Sequence, residues 1–321
     1  MSAGNGGRRP DWLKIRLTTD ETFRRVRSMV SELRLNTVCT EARCPNIYEC
    51  WNAGTATFMI LGDICTRRCG FCSVTSGRPR PGVDPDEPRH VAEAVERLGL
   101  RHAVITSVDR DDLPDGGAFH FHQVVRAIKE RVPDCATEIL TPDFKNKDGA
   151  LSTVLDSRPE IFSHNIETVP RLYRVVRPGS RYRGSLALLR AAADRRDRER
   201  STMRVKSSLM LGLGETDGEV FEVLADLRQA GVQVVAMGQY LQPTREHLPV
   251  DRFVPPEGFE AMRERGMKLG FLHIEAGPLV RSSYHAERHR PDPAPAGGTG
   301  GLLSIGVEDG PPVAGDVALE R

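Results

Sequence analysis

Apolar, β-branched runs recur along the chain at 57–62, 103–107, 136–140, 161–166, 204–211 and 232–240, which predicts six strands. Between them the segments 91–98, 119–131, 151–155, 186–193 and 219–230 carry apolar residues three and four apart, the helical period. Strands that alternate with crossover helices pair in parallel through right-handed connections. Such a repeat closes wholly or partly into a barrel whose site lies at the C-terminal strand ends. The pattern alone also admits a doubly wound sheet.

Outside the repeat, 1–55 holds a helix-like stretch at 20–33 and then a cysteine-rich loop. After it come a helix at 256–269, a short strand at 271–275 and a loop at 277–287. From Arg288 onward Pro, Gly and Ala dominate, so about the last thirty residues read as disordered. The expected class is α/β, with an N-terminal extension (1–55), a barrel (56–275), a C-terminal segment (276–290) and a disordered tail (291–321).

Charge narrows the function classes. Forty-five Lys and Arg against 44 Asp and Glu give a net charge of +1, so no bulk field marks a nucleic-acid or membrane-surface binder. No apolar run approaches the roughly 18 residues of a spanning helix, and residues 1–9 are Gly-rich and polar, unlike a secretory signal. The expectation is a cytoplasmic protein with neither nucleic acid nor membrane as partner. Arginines crowd 171–200, including Arg171, Arg174, Arg177, Arg181, Arg183, Arg190, Arg195 and Arg196. They read as a solvated helix face or as a local docking patch for an acidic partner.

Six of the seven cysteines fall into two tight triplets rather than loop-closing pairs, which argues for metal ligands in a reducing compartment. Cys65, Cys69 and Cys72 sit immediately after the first predicted strand. Three thiolates leave one iron of a 4Fe-4S cube without a protein ligand, and an open coordination position is where a metal site does chemistry. A zinc loop is the alternative, but zinc ordinarily takes a fourth Cys or His close by, and none follows before His90. Cys39, Cys44 and Cys50 have a different spacing, implying a second cluster or, failing that, a zinc or core role. Cys135 reads as a small buried residue, and His102, His120 and His122 as surface residues without ligand spacing to the triplets.

Other polar residues fall at predicted strand ends. Asn165 and Glu167 follow the fourth strand, where barrel ends present polar groups to ligands, though capping of the next helix is the plain alternative. Gly212 and Glu215 follow the fifth, where a Gly-rich turn admits close backbone approach. Thr106 and Ser107 close the second, with turn chemistry as the alternative.

The Cys-x3-Cys-x2-Cys loop and its position resemble the radical S-adenosylmethionine (SAM) superfamily, whose fold is a partial (β/α)6 TIM-like barrel. That resemblance implies SAM chelated to the open iron and reductively cleaved to a 5′-deoxyadenosyl radical, with Thr106, Ser107, Asn165, Glu167, Gly212 and Glu215 around it. Adding the second triplet, the Arg281-Ser282-Ser283-Tyr284 segment and the runs 104–117, 164–168, 209–216 and 239–244, the chain from 10 to 287 resembles the lipoyl synthase family. This implies a second 4Fe-4S cluster held by Cys39, Cys44, Cys50 and Ser283, where an alkoxide is more readily released than a thiolate. Residues alone would make Ser282 and Ser283 turn caps.

The implied reaction inserts sulfur at carbons 6 and 8 of an octanoyl chain on a carrier lysine and consumes two SAM. The implied partners are 2-oxoacid dehydrogenase E2 subunits and the glycine cleavage H protein, a ferredoxin or flavodoxin, and an iron–sulfur cluster carrier. A zinc-stabilised binding module, biotin synthase and a methylthiolating RNA enzyme remain as competing readings. The near-neutral charge weighs against the RNA enzyme, and the second triplet's spacing against biotin synthase.

Overall fold

In the computed structural model, which describes residues 10–291 except 16 and 54, the apolar runs become parallel strands. The chain begins with α1 (Glu21–Glu32), the two-residue β1 (Asn36–Thr37), α2 (Val38–Glu41), α3 (Ile47–Asn52) and β2 (Thr57–Ile60). A small ribbon of β3 (Ile64–Cys65) and β4 (Thr75–Ser76) encloses the first cysteine loop. There follow α4 (Glu87–Leu98), β5 (His102–Ser107), α5 (Ala118–Arg131), β6 (Ala136–Leu140), α6 (Ala150–Leu155) and β7 (Ile161–Ser163). The remainder is α7 (Tyr173–Val176), α8 (Tyr182–Arg198), β8 (Arg204–Leu211), α9 (Asp217–Gln229), β9 (Val234–Gln239), α10 (Pro256–Met267) and β10 (His273–Gly277).

The sheet order β1-β2-β5-β6-β7-β8-β9-β10 follows the sequence, and every pair except the antiparallel β1–β2 is parallel. A doubly wound sheet reverses its order at a switch point; sequential order is barrel winding. The C-terminal strand adds a seventh parallel member beside β9, with His273 opposite Val234 and Gly277 opposite Gly238. The expected boundary at 275 therefore cuts through a strand, and residues up to Pro291 cluster as one compact unit that includes both extensions. The expected tail at 291–321 lies outside the described residues except for Pro291. Among the described residues no helix is long and apolar enough to cross a membrane.

Alternation along the strands separates two environments. Ile105, Ile139, Phe162, Val205, Leu209, Val235 and Met237 join the core beneath the helices. Their neighbours Thr106, Glu138, Lys206, Ser208 and Gly238 therefore face the lumen. Both sets are buried, as expected of a parallel sheet covered on both faces.

The barrel base is closed by a polar plug. Lys206 Nζ donates to Glu138 Oε1 at 2.7 Å, and His102 Nε2 lies 3.4 Å from the other carboxylate oxygen. Burial alone would raise the Glu138 pKa, but Lys206 and His102 hold it down to about 2. The 3-10 turn Ala286–His289 inserts His289, whose Nδ1 accepts from Lys206 at 3.0 Å. Burial and the Lys206 charge push His289 down to about 2, so it is neutral with its proton on Nε2. His273, Glu275 and His289 bring ligand atoms within 4.8 Å of one another, with His289 Nδ1 already engaged by Lys206. Disorder from Arg288 is thus corrected: the partners that order His289 lie more than eighty positions upstream, where composition does not reveal them.

The histidine reading is also corrected. His120 is buried with Nε2 2.6 Å from Glu87 Oε2, the same oxygen that accepts the Leu61 N–H, and His122 Nδ1 meets the Thr153 carbonyl at 3.0 Å. Cys135 is buried, as expected.

Candidate active site

Strand β2 ends where Leu61 and Gly62 turn left-handed, at φ +70° and +92°. The chain then loops through Cys65, Cys69 and Cys72. The backbone N–H groups of Arg67 and Asp109 donate to the Cys65 sulfur at 3.4 and 3.3 Å. Inside the loop Arg67 is buried and spans two further strand ends: it donates to Asp111 at 2.9 and 2.8 Å, to Asp143 at 2.6 Å and to Ser180 at 2.9 Å. Burial pushes Cys69 up to about 12, Cys72 up to about 11 and Cys65 upward, with Asp109 adding to each. Bare thiolates are disfavoured here, and a cation bound to sulfur reverses that preference.

The loop forms one end of a cavity of about 460 Å³ that reaches from Cys65, Cys69 and Cys72 to Pro45, Arg281 and Ser282. Ser107 Oγ, Thr141 Oγ1 and Asn165 Oδ1 line it and are buried without hydrogen-bond partners. Buried polar atoms are nearly always satisfied, so three orphans facing one cavity fit a polar ligand such as SAM. Asn165 Nδ2 donates to Glu167 Oε1 at 3.1 Å, and Glu167 sits at φ +68°, tied to β8 through its own N–H and the Met210 N–H. Thr106 lines the cavity but its hydroxyl is engaged by the Leu140 carbonyl at 2.9 Å.

Gly212 and Glu215 are not among the cavity-lining residues. Glu215 caps its own turn, accepting from the Gly212 and Leu213 N–H groups at 2.7 and 2.9 Å. A Cβ on Gly212 would meet the Arg252 carbonyl at 2.4 Å, so the glycine accommodates the protein's own backbone. Sequence reasoning missed Arg177, a buried cation that lines the cavity, donates to the Asn165 carbonyl at 2.7 Å and has no carboxylate within 4 Å among the described residues. It was grouped with the surface arginines, and no local signal separates it from them. Much of that patch is committed internally: Arg171 to Glu219, Arg195 to Asp156 and Glu199, and Arg196 to Asp197.

The second triplet lies between the sheet edges. Thr37 Oγ1 caps α2, which carries Cys39; Cys50 belongs to α3. Burial raises Cys39 to about 11, Cys50 to about 12 and Cys44 upward, and the charges of Cys39 and Cys44 add to Cys50. The buried Trp51 indole N–H beside this triplet has no hydrogen-bond partner among the described residues. The C-terminal segment docks on this triplet. Asn46 Nδ2 donates to the Leu279 carbonyl at 2.7 Å, Thr57 Oγ1 to Ser283 Oγ at 2.9 Å and Tyr284 OH to Glu49 at 2.9 Å. Gly238 permits the approach, because a Cβ there would stand 1.9 Å from the Val280 carbonyl oxygen.

Comparison with known proteins agrees with this arrangement. The lipoyl synthase of Halorhodospira halophila is 54% identical over 304 residues, covering 94% of this chain and 88% of the relative. The chain belongs to the lipoyl synthase family. The lipoyl synthases of Rubrobacter xylanophilus and Thermus thermophilus are 52% and 54% identical, over 88% and 87% of this chain and 87% and 86% of theirs. The model of the N-terminal domain of lipoyl synthase matches 2–44, and that of the radical SAM superfamily matches 59–227. Streptococcus suis SuiB bound to its precursor peptide SuiA shares the fold alone, with a TM-score of 0.52 at 11% identity over 79% of this chain and 52% of that one. As a lipoyl synthase the chain is a radical SAM enzyme, and its superfamily implies a 4Fe-4S cluster and SAM.

Proposed function

We propose that the chain is a sulfurtransferase that inserts two sulfur atoms, at carbons 6 and 8, into an octanoyl chain held on a lysine of a partner protein. In this reading Cys65, Cys69 and Cys72 hold the first 4Fe-4S cluster, and Cys39, Cys44, Cys50 and Ser283 the second. Bound there, the clusters and SAM supply an electron, a hydrogen-abstracting carbon radical and the sulfide. The protein's own part is placement. Ser107, Asn165 and Glu167 present polar atoms to SAM, with Thr106 beside them. Gly212 and Glu215 act from behind, shaping the turn after β8. Apolar residues such as Met59, Phe71, Val108 and Leu140 line the same cavity and match an alkyl chain while excluding water.

The observation that carries the proposal is the reach of that cavity, which is lined by all three cysteines of the first triplet and by Val38, Pro45 and Ser282, the chain neighbours of Cys39, Cys44 and Ser283. The partners are an octanoylated E2 subunit or glycine cleavage H protein, a ferredoxin or flavodoxin as reductant, and a cluster carrier. Arg174, Arg181 and Arg183, exposed and without an ion pair among the described residues, remain available for carrier docking. Anaerobic incubation with an octanoyl-lysine peptide, reductant and SAM should yield product two sulfurs heavier, with 5′-deoxyadenosine. Ser283→Ala should still release 5′-deoxyadenosine while sulfur transfer falls. Absence of both products from the wild type would refute the proposal.

A further inference from the structure

Three anchors hold the C-terminal segment by its flanks: Asn46 on Leu279, the Gly238 contact with Val280, and Glu49 on Tyr284. None of them touches the Ser283 hydroxyl. A serine χ1 has three staggered wells, so fixing the backbone leaves the oxygen free to point in three directions. Among the described residues the hydroxyl has one hydrogen-bond partner, Thr57 Oγ1 at 2.9 Å, 226 positions away. Thr57 is buried where β2 starts, on the strand against which α2 and its Cys39 pack. Its strand therefore meets the element that carries a cysteine of the second triplet, while its side chain meets Ser283. Because Thr57 donates, it selects one Ser283 rotamer without occupying that hydroxyl's hydrogen, leaving the oxygen a further lone pair.

We propose that Thr57 is a positioning residue of the second metal site, its hydroxyl aligning Ser283 Oγ as the fourth ligand beside Cys39, Cys44 and Cys50. This rests on the reading of Ser283 as a ligand, and the experiment separates the two. Thr57→Val keeps the shape and removes the donor, Thr57→Ser keeps the donor, and Ser283→Ala removes the acceptor. Each is reconstituted anaerobically with iron and sulfide, and iron loss to an excess of chelator is followed. Amide exchange across 281–284 is followed in the metal-free proteins.

Loss of one hydrogen bond should make the valine variant release iron on the order of fivefold faster, while exchange at 281–284 stays as in the wild type because the flanking anchors remain. The serine variant should match the wild type, and Ser283→Ala should lose iron faster still. If Thr57→Val behaves as wild type while Ser283→Ala does not, or if Thr57→Ser is as impaired as Thr57→Val, the role of Thr57 is overturned and the ligand reading stands. If Ser283→Ala retains iron like the wild type, the ligand reading itself fails.

Discussion

Arg67→Met in the metal-free chain isolates what the buried arginine contributes apart from any cluster. Its side chain is 3% exposed, and the substitution strands Asp143, at 11%, without its cation, while Asp111, at 16%, keeps only the half-exposed Lys145 at 2.6 Å. Breaking a buried ion pair from one side costs ~3–5 kcal/mol, because the remaining charge stays desolvated. Asp143 supplies a second route to the size of the effect. Burial pushes its carboxyl up, but the bonds and charge of Arg67 outweigh burial and hold it at about 2 rather than 3.8. At ~1.4 kcal/mol per unit this is about 2–3 kcal/mol of stability, and Asp111, also lowered, contributes in the same direction.

The pH sign follows from the direction. A depressed carboxyl stabilises above its unfolded value and loses that contribution as pH falls from about 4 toward 2. In the variant burial dominates at Asp143, its carboxyl rises, and stability is instead lost as pH increases through its new value. Urea denaturation at pH 7 and pH 4 should therefore show a deficit of ~3–5 kcal/mol that shrinks on acidification. A deficit below ~1 kcal/mol at pH 7, or one that grows in acid, would refute the reasoning.

Asn165→Ala should weaken SAM binding about tenfold, since an orphaned buried amide finds its partner in the ligand; calorimetric titration of reconstituted protein measures this, and unchanged affinity counts against it. Gly238→Ala should lower the thermal midpoint by an amount equivalent to ~1–3 kcal/mol of overpacking, with amide exchange rising at 279–284 where the Val280 carbonyl must retreat. Lys206→Met leaves Glu138 buried with only His102 beside it, costing ~3–5 kcal/mol by urea denaturation, and adding Glu138→Gln should restore part of it.

The βα repeat was legible because parallel strands buried on both faces read as largely apolar runs, as β2 and the start of β9 do. Both cysteine triplets and the polar strand ends Ser107, Asn165 and Glu167 were equally plain, since spacing and position are local properties. What escaped depends on partners distant in sequence. Nothing in the run from Cys65 to Cys72 distinguishes Arg67 from Arg68, yet Arg67 finds Asp111 and Asp143 while Arg68 is exposed. Arg177 and His289 are buried for the same reason, by groups that composition cannot place beside them. Gly212 misled because a glycine required by packing looks, in one dimension, like one required by a ligand.

The bond between Thr57 and Ser283 joins positions 226 apart, which bears on the order of biosynthesis. A ribosome-bound chain that has emerged through β4 already presents all the cysteines of both triplets. The serine and the flanking contacts of 279–284 are translated only after β10. A premature stop within the last barrel strand would leave a thiol-only half-site, and assembly machinery acting on nascent chains would meet it in that state. On the reading of Ser283 as a ligand, the second position is complete only once the chain has passed β10, whereas the first loop and its Arg67 clamp can form once β6 and Ser180 have been synthesised.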